Sequence, residues 1–259
     1  LATLILTVCG VNLMGPNTIG GFPPTAYYLI SSIASFLSIV LPFSFFLFFG
    51  KRKLSDTVLV EKNGVLNSVL LVFAGLAVSV LMNIPANLIS QLLEGAGLNG
   101  DANTADLLAL TPVQALTMFV SIVLIAPVTE EFAFRSVTTA VMRRWGDWPA
   151  VIFSALIFGM AHYSIQSLPV VLTAGFVMAL LYVRTRNIWV NIFVHMLNNL
   201  LATLPIALEG LVGADAANIT SNLLTYIVYG LGLIALVVLL IRNFTGHKVF
   251  RTPMQRGVP

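Results

Sequence analysis

The chain has 259 residues, of which 58% are hydrophobic and only 9% charged. A soluble domain carries about 25% charge, so this composition excludes an ordinary soluble enzyme and points to an all-α, polytopic transmembrane helical bundle. The pI near 9.2 does not signal nucleic-acid binding, because the basic residues sit at the edges of apolar runs.

In chain order, apolar runs cover Leu1–Met14, Thr25–Phe49, Gly64–Leu93, Pro112–Met142, Pro149–Tyr163, Ser167–Val183, Ile188–Leu208 and Asn222–Ile241. A span needs about 20 residues, so the reading is about eight spans in a single integral membrane domain over residues 1–259. Leu1–Met14 reads as a clipped first span rather than the remnant of a signal sequence. Pro85 and Pro127 are expected kink sites, since each removes a backbone donor. The lone Cys9 excludes an intrachain disulfide. No internal repeat interrupts the pattern.

Charge sets the expected orientation. Twelve of the 13 basic residues, among them Lys51, Arg52, Lys53, Lys62, Arg143, Arg144, Arg184 and Arg186, fall on one side of the span pattern. The opposite connections carry Glu94, Asp101, Asp106, Glu209 and Asp215 and no Lys or Arg. By the positive-inside rule both termini are cytoplasmic.

The thirteenth basic residue, Arg135, lies within a span, beside Glu130 and Glu131. Charge at bilayer depth is costly, so such groups face the bundle interior and are functional candidates. His162 and His195 also fall within spans, with Asn199 one turn after His195. Residues four apart share a helix face, which pairs Glu131 with Arg135 and turns Glu130 about 100° away. A Glu131–Arg135 pair leaves Glu130 free to take a proton. Phe132, Phe134 and Phe158 read as core packing, and a histidine or Asn199 alone would read as a helix-bridging residue. Two carboxylates, two histidines and an amide in three spans exceed what packing requires.

Two hydrolytic chemistries fit. In one, a Glu and a His hold a water and the Glu is general base, while a second His and an Asn donate to the oxyanion. In the other, Glu130, His162 and His195 ligate a metal such as zinc. No Ser or Cys nucleophile motif and no glycine-rich phosphate loop is present, which disfavours covalent catalysis and nucleotide hydrolysis.

Glu130-Glu131-x-x-x-Arg135, Phe158-x-x-x-His162 and His195-x-x-x-Asn199 together resemble the three-part signature of the CAAX-protease and bacteriocin-processing intramembrane proteases. The resemblance covers about 112–208. It implies a cavity open to the cytoplasmic side, water activation by Glu130 with His162, an oxyanion site of His195 and Asn199, and support from Glu131 and Arg135. It also implies a peptide or a prenylated, lipid-associated protein as substrate, with membrane lipid around it. A prokaryotic plasma membrane is the expected location. The rival readings are an immunity protein that binds without cleaving and a proton-coupled transporter, although the paired broken helices of common transporters are not found.

Overall fold

The computed structural model describes residues 24–98, 111–162, 164–247 and 249–250. The first expected run, Leu1–Met14, lies outside the described residues. Each of the others forms a helix. We label them α1 (24–49), α2 (Leu54–Thr57), α3 (Val65–Gly95), α4 (Pro112–Trp145), α5 (Asp147–Met160), α6 (Leu168–Thr185), α7 (Ile188–Val212) and α8 (Ala214–Phe244). Among the described residues six helices are long and apolar enough to cross a membrane: α1, α3, α4, α6, α7 and α8. The fifth expected span, Pro149–Tyr163, is short for a crossing, as its length in the sequence implies. α5 has 14 residues, about 21 Å at 1.5 Å per residue against a hydrocarbon core of about 30 Å. The last helix begins at Ala214 rather than Asn222, with Asp215 in its first turn, where the positive end of the helix dipole favours an acid.

α3 to α8 share one core. Leu71, Val72 and Ala74 of α3 pack with Ala133 and Phe134 of α4, Phe158 of α5, Met178 and Leu181 of α6, Val190 and Val194 of α7, and Ala235 and Leu239 of α8. Small residues let the backbones approach, as membrane helices require. A Cβ on Gly232 of α8 would come within 2.5 Å of the Phe73 carbonyl oxygen of α3, and one on Gly175 of α6 within 2.9 Å of the Phe158 ring. The outer faces carry exposed apolar side chains such as Phe48, Val65, Tyr226 and Phe244, the arrangement expected where lipid replaces water.

The start of α7 is pinned from two directions. Asn187 Oδ1 accepts from the Trp189 amide at 3.0 Å and caps the helix, and Asn187 Nδ2 donates to the Glu61 carbonyl at 3.0 Å. An antiparallel bridge joins Val60 and Asn187, with the Ile188 amide donating to the Leu59 carbonyl at 2.9 Å. This tie sets the height at which His195, two turns on, meets α4.

α1 widens once, over Phe36–Val40, and α4 widens twice. α4 starts at a reciprocal cap, with Thr111 and Gln114 each satisfying the other's backbone amide. Its turns then widen to i→i+5 bonding over Phe119–Ile125 and again over Glu131–Thr138. Wide turns of this kind cluster at functional sites.

Candidate active site

The two wide stretches of α4 bracket Glu130. In the first, the Ala126 amide donates to the Ser121 carbonyl, and Pro127, the next residue, has no N–H. The Ile122 carbonyl is thereby left without a donor on its own helix. Asn199 of α7 supplies one, with Nδ2 at 2.9 Å. In the second stretch, side-chain hydroxyls add to the backbone bonding: Thr138 Oγ1 donates to the Ala133 carbonyl at 3.0 Å, Thr139 Oγ1 to the Phe134 carbonyl at 3.3 Å, and Ser154 Oγ of α5 to the same carbonyl at 2.7 Å. Buried carbonyls need partners, and these hydroxyls hold the loosened helix open.

Glu131 is the hub. Its side chain and that of Arg135 are both 0% exposed, with Arg135 Nε 3.3 Å from Glu131 Oε2. The expected Glu131–Arg135 pairing is the arrangement found. The contact is close as an ion pair but poorly aligned as a hydrogen bond, because no guanidinium nitrogen has a hydrogen-bond partner among the described residues. The remaining stabilisation comes from Phe158, whose ring centroid lies 4.1 Å from Arg135 Cζ, a cation–π contact. Glu131 Oε1 accepts from His195 Nδ1 at 2.9 Å, and Oε2 accepts from Asn191 Nδ2 at 3.3 Å. Asn191 also donates to the Met178 carbonyl at 2.6 Å, which ties α6 into the cluster.

Glu130 stands apart from this network. Its Oε2 is buried without a hydrogen-bond partner among the described residues, and the nearest opposing group is His195 Nε2, 3.8 Å away. Because His195 Nδ1 donates to Glu131, the neutral ring presents Nε2 as an acceptor.

The six residues expected from the sequence are not gathered into one cluster. Glu130, Glu131, Arg135 and His195 meet directly. His162 is exposed, its Nδ1 2.8 Å from the Phe158 carbonyl. Its ring is tilted against Phe158 at 4.7 Å between centroids, while His195 lies edge-on to the same ring at 5.8 Å. The histidine beside Glu130 is thus His195, not His162. Asn199 faces the Ile122 carbonyl. Phe158, expected to be packing alone, covers the guanidinium and touches both histidine rings. Asn191 was not anticipated, although it precedes His195 by one turn and continues the Asn199 face.

The Glu130, His162 and His195 set does not fit a metal as arranged. Among the described residues no three His, Cys, Asp or Glu side chains converge as ligands, although His195, with Nδ1–H held by Glu131, is itself in the form that ligates a metal.

Residues 112–201 match the family described as Type II CAAX prenyl endopeptidase Rce1-like, a stretch that holds all three motifs. Over this stretch the chain is similar to that family. A Bacillus subtilis protein named "Putative membrane peptidase YdiL" is 30% identical over 140 residues, 54% of this chain and 57% of that protein. The match therefore spans a little over half the length of that relative. No solved structure matches. With its apolar helices and these likenesses, the chain is an integral, multi-pass membrane protein.

Proposed function

We propose that the chain is an intramembrane endopeptidase in which Glu130 activates the attacking water. One observation carries the reading: two adjacent carboxylates have opposite surroundings. Glu131 is saturated by Arg135, His195 and Asn191, whereas Glu130 Oε2 is buried with no hydrogen bond of its own among the described residues. Such divergence is the usual sign of divided acid–base roles.

The 3.8 Å between Glu130 Oε2 and His195 Nε2 admits a water within hydrogen-bonding reach of both. That water donates to the two acceptors and keeps its lone pairs for the scissile carbonyl. As the C–O bond forms, Glu130 takes the proton. It then delivers the proton to the departing amine as the C–N bond breaks. Glu131 orients the His195 ring, as the buried carboxylate does in a serine-protease triad. Asn199 spends one N–H on Ile122, and its second N–H is the donor we assign to the oxyanion. His195 joins the oxyanion only as an imidazolium, because its Nδ1–H is engaged.

The substrate class follows from the setting: a peptide segment within or at the surface of the bilayer. The family description favours a prenylated or otherwise lipid-associated protein; the loop charges favour cutting on the cytoplasmic side, and the bacterial relative favours a prokaryotic plasma membrane. The test is cleavage of a membrane-peptide library by purified wild type and Glu130→Gln. General-base loss should cost about 10²–10⁴ in turnover, with thermal stability at or above wild type, because Glu130 Oε2 has no hydrogen bond to lose. Undiminished cleavage by Glu130→Gln would overturn the assignment, and a wild type that cuts nothing would favour an immunity or transport role.

A further inference from the structure

A second polar feature lies away from the carboxylates. A cavity of about 500 Å³ opens between the end of α1, α2 and the last turns of α4. Its walls carry Lys51, Arg52, Lys53, Arg143 and Arg144 against a single acid, Asp56. Arg143 is held by Asp147 at 3.1 Å, and Arg144 lies over the Trp145 ring at 3.7 Å. Asp56 accepts from Ser55. Lys51 sits at φ +50°, a left-handed position that favours glycine, although Gly50 immediately precedes it. The floor is rigid, because the Tyr182 hydroxyl accepts from the Leu59 amide at 3.0 Å and donates to the Thr57 carbonyl at 3.1 Å.

α1 and α4, with Ile157 of α5, also line an apolar groove of about 320 Å³, which holds Phe43 and Phe46 of α1 and Val137, Val141 and Met142 of α4. Cavity and groove share α4 as a wall, with Thr138 lining the groove and its neighbour Thr139 the cavity. Exposed aromatic residues flank both basic segments, Phe48 and Phe49 on one side and Trp145 and Trp148 on the other. Basic and aromatic residues together mark the depth of lipid headgroups.

We infer that this paired cavity and groove bind one anionic phospholipid, its phosphate among Lys51, Arg52 and Arg144 and an acyl chain between α1 and α4. The basic cavity alone would suit any phosphate. The adjoining groove selects a lipid.

The test titrates detergent-purified protein with phosphatidylglycerol and phosphatidylcholine carrying the same brominated chains, read by quenching of tryptophan fluorescence. Lys51→Gln/Arg52→Gln removes two exposed charges from the cavity, and Lys62→Gln/Arg242→Gln removes two from elsewhere. The wild type should prefer phosphatidylglycerol by tenfold or more. The cavity variant should lose about 30-fold in affinity, at roughly one basic residue's share of surface attraction each, and the control should keep the preference. Inorganic phosphate at millimolar concentration should not displace the lipid. Equal binding of the two lipids, or equal loss in both variants, would overturn the proposal. So would displacement by inorganic phosphate, which would make this a free-anion site.

Discussion

Removing the guanidinium of Arg135 tests the charged centre most directly. Arg135 and Glu131 are both fully buried, so Arg135→Met leaves a carboxylate at bilayer depth with only His195 and Asn191 as partners. Breaking a buried pair from one side costs about 3–5 kcal/mol, and the lost contact with Phe158 accounts for up to about 2 kcal/mol of that total. For a chain of this size such a loss lowers Tm by about 6–20 °C, a large fraction of a typical stability of about 5–15 kcal/mol. Glu131→Gln should be comparably damaging, because it strands the guanidinium. The double variant Glu131→Gln/Arg135→Met strands neither, and replacing a buried pair by neutral groups of similar volume is often close to neutral. We expect it to recover most of the stability, so that the coupling, the two single losses less that of the double, is about 4 kcal/mol or more. Unfolding in mixed micelles at rising SDS fraction measures all four corners of the cycle. Turnover of the double variant should stay down by about 10–100-fold, since a neutral amide in place of the Glu131 carboxylate no longer provides the charge that orients His195. A coupling below about 0.5 kcal/mol, or a double variant as unstable as the worse single one, would refute the pair.

Other outcomes follow from individual contacts. Asn199→Leu should cost about 1–3 kcal/mol by leaving the Ile122 carbonyl bare, and adding Pro127→Ala should return at least half by restoring a backbone donor; absence of rescue would contradict the account of the wide turn. Asn191→Leu should lower stability by about 1.5–3 kcal/mol and slow turnover about 10–100-fold through Glu131, so wild-type kinetics would remove Asn191 from the centre. In a background without Cys9, an impermeant thiol reagent added to intact cells should label Ala216→Cys and spare Lys53→Cys; the reverse pattern would invert the topology expected from the loop charges.

Much of this was legible in the sequence, because bilayer physics leaves few options. A run of about 20 apolar residues must be helical, and the rarity of buried charge picked out Glu130, Glu131 and Arg135. The i,i+4 rule also paired the correct carboxylate with Arg135. What escaped depended on contacts between helices. Asn191 looked like any interfacial amide until Met178 and Glu131 were seen beside it. Which histidine faces Glu130 depends on the α5–α7 packing, and no spacing within one helix reports that. Nor could the widened turns be read from α4 alone, since the donors that sustain them, Ser154 and Asn199, lie on other helices.

The widened stretch at Glu131–Thr138 has an evolutionary consequence. A turn closed at i→i+5 holds one residue more than an ordinary one. Deleting any single residue there would remove what the widened turn absorbs and let the helix close on regular bonds. The segment after it would keep roughly its direction, but the Ala133 and Phe134 carbonyls would lose the open geometry in which Thr138, Thr139 and Ser154 reach them. Insertions and deletions should therefore accumulate in the connections between helices and be absent from this stretch, even where its apolar side chains drift. The helix that bears the acid is counted as well as spelled, and its residue number is under selection independently of its composition.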